Sequence, residues 1–161
     1  MKIYESGLTG RLFESEVLPR LSDAWRHQGY FDEKRSFDWV RQNQEWNPSD
    51  PSNKIANNLH CSVAEKLELD DYNELKFYSA LNSPLDYYYG IDAFLELDGD
   101  VYTLDLSINS HKEEAKADMV VSEHDLMTDE GIEDLANRIA RFYSKKRAGK
   151  GNSNSYLSSI K

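Results

Sequence analysis

Two aspartates in neighbouring apolar runs hold the most chemical promise in this chain. Gly90-Ile91-Asp92-Ala93-Phe94-Leu95-Glu96-Leu97 is followed by Asp98-Gly99 and then by Asp100-Val101-Tyr102-Thr103-Leu104-Asp105-Leu106-Ser107-Ile108. An Asp-Gly pair between two β-rich runs is the strongest short-range hairpin signal. With Asp98 and Gly99 as the turn residues, Leu97 faces Asp100, and counting outward places Asp92 opposite Asp105. A four-residue loop would keep that pairing, whereas an odd-length loop would put the two side chains on opposite faces. Opposed residues of an antiparallel pair share a face, with Cβ atoms roughly 4.5–5.5 Å apart. Two carboxylates at that spacing repel one another unless a cation neutralises them, and Mg²⁺ suits such hard oxygen donors.

The neighbours sharpen this reading. Strict alternation places Thr103, Asp105 and Ser107 on one face of the strand and Tyr102, Leu104, Leu106 and Ile108 on the other. An acid bordering a core is costly, so it is often there for function. The alternative is a solvated sheet face on which both aspartates meet water.

A third carboxylate comes from the expected first helix, about Thr9 to His27, whose apolar residues recur at helical spacing. At 100° per residue Glu14 falls inside the arc of Leu12, Phe13, Val17, Leu21 and Trp25, while Glu16 falls outside it. Gly10, one turn earlier, permits close backbone approach. Pro19 removes a helix hydrogen bond and predicts a kink or a late start.

Gly10-x-x-x-Glu14 in a first helix, then Gly90-Ile91-Asp92, then the apolar strand around Asp105, resembles the PD-(D/E)xK nuclease superfamily. The resemblance covers roughly residues 7–25 and 84–121. It implies an α/β fold of the restriction-endonuclease-like kind, a mixed β-sheet core flanked by helices with the first helix packed on the sheet. It also implies that Glu14, Asp92 and Asp105 hold Mg²⁺, with Mn²⁺ as a substitute, and that the substrate is DNA. The family's lysine stands two residues after the second acid, where this chain has Ser107. Lys112 and Lys116, in the connection to the next strand, are the replacements, and Lys112 is preferred as nearer the end of the Asp105 strand. Without either lysine, such a site would bind without cutting.

Around these residues, the sequence divides into one α/β domain over residues 1–146 and a flexible basic tail over 147–161. Residues 30–58 read as a loop-rich insertion, with turn chemistry concentrated in Trp46-Asn47-Pro48-Ser49-Asp50-Pro51-Ser52-Asn53. Ser62 to Leu69 suits a short helix, Leu75 to Leu81 a strand or helical turn, and Ser83-Pro84-Leu85-Asp86 a turn. Ala117 to Val121 suits a third strand. A helix from Asp129 to Tyr143 follows the cap residue Thr128, with Ile132, Leu135, Ile139 and Phe142 at helical spacing.

The charge balance weighs against a conventional DNA-binding surface. The 161-residue chain carries a net −10. Seven basic residues and no acidic ones lie between Leu135 and Lys161, leaving twelve basic against 29 acidic residues, or −17, elsewhere. That tail offers a grip on phosphate, and Lys145-Lys146-Arg147 is its densest part. Tyr87-Tyr88-Tyr89 can stack on bases or simply pack at a strand boundary. There is no apolar run long enough for a membrane span and no export signal, and a lone cysteine, Cys61, excludes an internal disulfide. A cytoplasmic setting is expected, as is the small size of a phage or mobile-element protein. P-loop, GxSxG and Cys/His nucleophile patterns are absent from the sequence.

The rival expectation is a non-catalytic, nuclease-like acidic protein that engages a basic protein partner as an inhibitor or DNA mimic. A homodimer is also compatible with the sequence, the aromatics of residues 30–58 then forming a subunit interface.

Overall fold

The Asp-Gly turn closes as expected. Asp98 and Gly99 both have positive φ, 55° and 82°, which is the mark of a type I′ hairpin turn and suits this residue pair. Strand β2 (Ala93–Leu97) therefore pairs with β3 (Asp100–Leu106) in the expected register, Leu97 against Asp100 and Ala93 against Leu104. A computed structural model describes residues 13–108 and 116–160 of the chain.

The hairpin forms the centre of a four-stranded mixed sheet in the order β1-β2-β3-β4. Strand β1 (Lys76–Ser79) runs antiparallel to β2, and β4 (Met119–Val121) lies parallel to β3 with Asp105 beside Val120. Alternation sends Leu95, Leu97, Leu104 and Leu106 into the larger core, where helices α3 (Lys54–Lys66) and α6 (Asp129–Ile160) cover the sheet. Tyr78 and Phe94 point to the other face, stacked with ring centroids 4.8 Å apart. There they meet Val40 of α2 (Glu33–Gln42) and Leu85 of α4 (Pro84–Tyr89). The fold is thus mixed α/β, with helices on both faces of the sheet.

Local capping explains where the helices begin. Asp32 accepts from the Arg35 amide at 2.8 Å at the start of α2, and Asn53 accepts from the Ile55 and Ala56 amides at the start of α3. Ser83 caps α4 with Pro84 in its first turn, and Gly90, in the left-handed region at φ 67°, ends it. Ser122 and Asp125 form a reciprocal capping box on α5 (Glu123–Met127). Thr128 caps the start of α6, its hydroxyl accepting from the Gly131 amide at 2.9 Å.

Three expectations require correction. The first helix, α1, is described over residues 13–17 only, and the chain is extended or bent from residue 18 until a 3₁₀ turn at Ala24–His27. Pro19 ends the helix outright, since its ring cannot continue the hydrogen-bond ladder.

Residues 30–58 are not loop throughout, because they contain α2 and the first turn of α3. Helix α2 fully buries only Ser36 and Val40, so its apolar stripe was too thin to stand out in sequence. Of the aromatics in this stretch, Tyr30 is exposed and Phe37 and Trp39 are half-buried. Phe31 and Trp46 are buried, and the Trp46 Nε1–H donates to the Phe77 carbonyl at 2.9 Å.

Finally, α6 runs on to Ile160 through residues expected in a flexible tail. Its basic side chains there are occupied within the molecule. Arg147 Nε lies 2.8 Å from Asp98 Oδ2, and Lys150 Nζ lies 2.6 Å from Asp100 Oδ2, so both grip the hairpin turn rather than stand ready for phosphate. Among the described residues, no helix is long and apolar enough to cross a membrane.

Candidate functional site

The site lies where the C-terminal end of β3, the residues leading into β2 and the first turn of α4 converge. Ile91 and Asp92 precede β2, and the Asp92 amide donates to the Leu104 carbonyl at 2.9 Å while its own carbonyl accepts from Ala80 at 2.8 Å. Both backbone groups of Asp92 are therefore fixed between β1 and β3. Its Oδ2 accepts from the Leu106 amide at 2.8 Å, so the side chain reaches across β3 at the level of Asp105. Both aspartates are only 4 % exposed.

Glu14 and Asp105 act on Asp92, together with Asp86, a carboxylate that sequence reasoning missed. Asp92 hydrogen-bonds with Asp105, and it feels the charges of Glu14 and Asp86. Asp86 stands on the first turn of α4, where its Oδ2 accepts from the Asn82 amide at 2.9 Å, and it also hydrogen-bonds with Asp92. Its signal was present in the sequence. Ser83-x-x-Asp86 is the spacing of a helix start with an acid at the third position, but it read as a turn because the following helix is only Pro84–Tyr89.

Burial pushes the Asp92 carboxyl well above the usual carboxylate range, and the negative charges of Asp86 and Glu14 and the bond to Asp105 push it the same way. Burial also raises Asp86, opposed by the Asn82 amide, the hydrogen bond from Asp92 and the positive field of Arg20. Asp92 is thus pushed toward its protonated form by burial and by the carboxylates around it. Arg20, exposed just past the end of the first helix, is a cation at this site that the sequence reading did not single out.

The lysine candidates fare differently. Lys112 lies outside the described residues, as do Gly10 and His111. Lys116 is described and exposed, and it lines a groove of about 640 Å³ together with Val101, Thr103 and Arg41. The same groove is lined by Ile91, the neighbour of Asp92, and by Asp118. Ser107, where the family's lysine would stand, is half-buried, and its amide donates to Val121 at 2.9 Å.

Chemically, the cluster supplies only hard oxygen donors, the set that Mg²⁺ or Mn²⁺ takes. Among the described residues, however, no three Asp, Glu, His or Cys side chains are arranged to hold an ion as they stand. No protein-family model, no curated protein and no solved structure matches the chain.

Proposed function

We propose that this protein is a Mg²⁺-dependent endonuclease of the PD-(D/E)xK type that hydrolyses DNA phosphodiester bonds. The observation that carries the reading is that the buried Asp92 and Asp105 lie together and that the charge of the half-buried Glu14, far away in sequence, reaches Asp92. Burying that much like charge is costly, and a site that takes up a divalent cation recovers the cost. The mixed sheet, with Asp92 leading into one central strand and Asp105 near the end of the next, agrees with a restriction-endonuclease-like core.

A bound divalent cation would supply Lewis-acid stabilisation of charge on the phosphate and acidify a water. The chain's own groups prepare the site for it. The Leu106 amide holds one oxygen of Asp92 and fixes that carboxylate within the cluster. Asp86 is held by the Asn82 amide, so it can take over a proton or buffer the site's charge without swinging away. Lys112 is assigned the role of orienting the attacking water and offsetting charge on the phosphate.

Plasmid nicking tests this directly. The wild-type protein should cut in Mg²⁺ or Mn²⁺ and be silent in EDTA. Asp105→Asn and Asp92→Ala should each lose cleavage by more than about a hundredfold while retaining the wild-type circular dichroism spectrum. Undiminished cutting by either folded variant rules the assignment out.

A second reading is a nuclease-like protein that binds a basic partner without cutting. Ser107 at the lysine's position favours it, as does the engagement of Arg147 and Lys150 with the protein's own carboxylates. It expects no nicking with either metal.

A further inference from the structure

Helix α4 delivers Asp86 to the carboxylate cluster and, one residue later, presents Tyr87 to solvent. Tyr87 is 63 % exposed and Tyr30 65 %, which is unusual for rings of this size and not needed for the core. Tyr88 bridges them, its ring centroid 4.9 Å from that of Tyr87 and 5.0 Å from that of Tyr30, with Trp25 buried behind. Arginines are interleaved with these rings. The Arg26 guanidinium lies 4.6 Å from the Trp25 centroid and 5.3 Å from that of Tyr87. The Arg35 guanidinium lies 3.9 Å from the Phe31 centroid and donates to the Tyr30 carbonyl at 3.1 Å.

The charge pattern here departs from the rest of the molecule. Arg41, Arg138 and Arg147 are all paired with carboxylates, whereas Arg26 bonds the Asn82 amide oxygen and Arg35 the Gln28 amide oxygen. In a chain of net −10, two exposed arginines bonded to neutral partners lie against aromatic rings, with exposed Asp32 and Glu33 on the same stretch of chain. The combination of arginine and ring is what single-stranded nucleic acid uses, with bases stacking on rings while guanidinium groups meet the backbone.

We propose that the Tyr30–Tyr87 face is a stacking platform for an unpaired base of single-stranded DNA, with Arg26 on the adjoining phosphate. The inference rests on the nuclease reading for the purpose of the neighbouring carboxylates, and it specifies the substrate: a strand with unpaired nucleotides next to the bond to be cut. A duplex buries its base faces in its own stack and cannot use these rings.

Fluorescence anisotropy with labelled oligothymidylate, and with its duplex on oligoadenylate, tests the platform in EDTA, where cleavage cannot intervene. The wild type should bind the single strand more tightly than the duplex. Tyr87→Ala should weaken single-strand binding about tenfold, Tyr87→Phe should leave it unchanged because only the ring is needed, and Arg26→Gln should weaken it and flatten its salt dependence. No single-strand binding by the wild type, equal binding of the duplex, or wild-type affinity in Tyr87→Ala would each overturn the proposal. These outcomes are independent of plasmid nicking: failure to cut sinks the nuclease reading alone, and unaltered binding by Tyr87→Ala sinks the platform alone.

Discussion

Replacing Asp92 with asparagine should make the cation-free protein more stable, by an amount that grows with pH. In the unfolded chain an aspartate ionises above about pH 3.9, whereas in the fold burial and three neighbouring carboxylates push the ionisation of Asp92 well above that. Unfolding therefore releases a proton, and rising pH favours the unfolded state. Each pH unit between those two titrations costs the wild type about 1.4 kcal/mol. Asparagine is neutral at every pH. Its amide oxygen can keep the 2.8 Å bond from the Leu106 amide, and its N–H groups can serve Asp105 and Asp86. The variant's advantage should thus climb by about 1.4 kcal/mol per pH unit from about pH 4, and level off where the folded wild-type carboxyl itself ionises. Urea melts of both proteins in EDTA, from about pH 4.5 to about pH 8, measure the slope. Adding Mg²⁺ should then stabilise the wild type and leave the variant unmoved. An Asp92→Asn variant no more stable than wild type at the upper end, or a gap that stays constant with pH, would refute the buried-proton account.

Two further outcomes test the scaffold. His60 is buried with its Nε2 2.7 Å from the Leu75 carbonyl, and burial lowers its basicity, so its stabilising contribution is full above about pH 6.5 and declines as pH falls toward the folded value. The stability difference between wild type and His60→Gln should accordingly narrow below about pH 6.5 in urea titrations; a fixed difference would dismiss the titration. Gly131→Ala should destabilise by about 1–3 kcal/mol in thermal or urea melts, although alanine is the better helix former. An added Cβ would clash with the His124 carbonyl oxygen and force α5 and α6 apart, so a stabilised variant would show that this corner yields freely.

The parts of this protein legible in sequence are those governed by local chemistry. Asp98-Gly99 dictates its own turn because few residue pairs tolerate two successive positive φ values, and that turn sets the register of β2 and β3 without help from the rest of the chain. The apolar spacing of Ile132, Leu135 and Ile139 likewise marks the buried face of α6, since a 3.6-residue period needs no tertiary information. Glu14 and Asp105 could be chosen because they interrupt apolar patterns, an anomaly visible one residue at a time.

What only the folded molecule decided involves partners distant in sequence. Asp86 joins the cluster because Gly90 turns the chain back and sets α4 beside the residues entering β2, a geometry that no spacing rule encodes. The basic stretch near the C-terminus looked available for phosphate until Asp98 and Asp100 were found across from Arg147 and Lys150. Helix α2 escaped detection because its burial depends on the sheet face it covers rather than on a rich stripe of its own. Charge and burial act through space, so the upward push on the Asp92 carboxyl belongs to the tertiary structure alone.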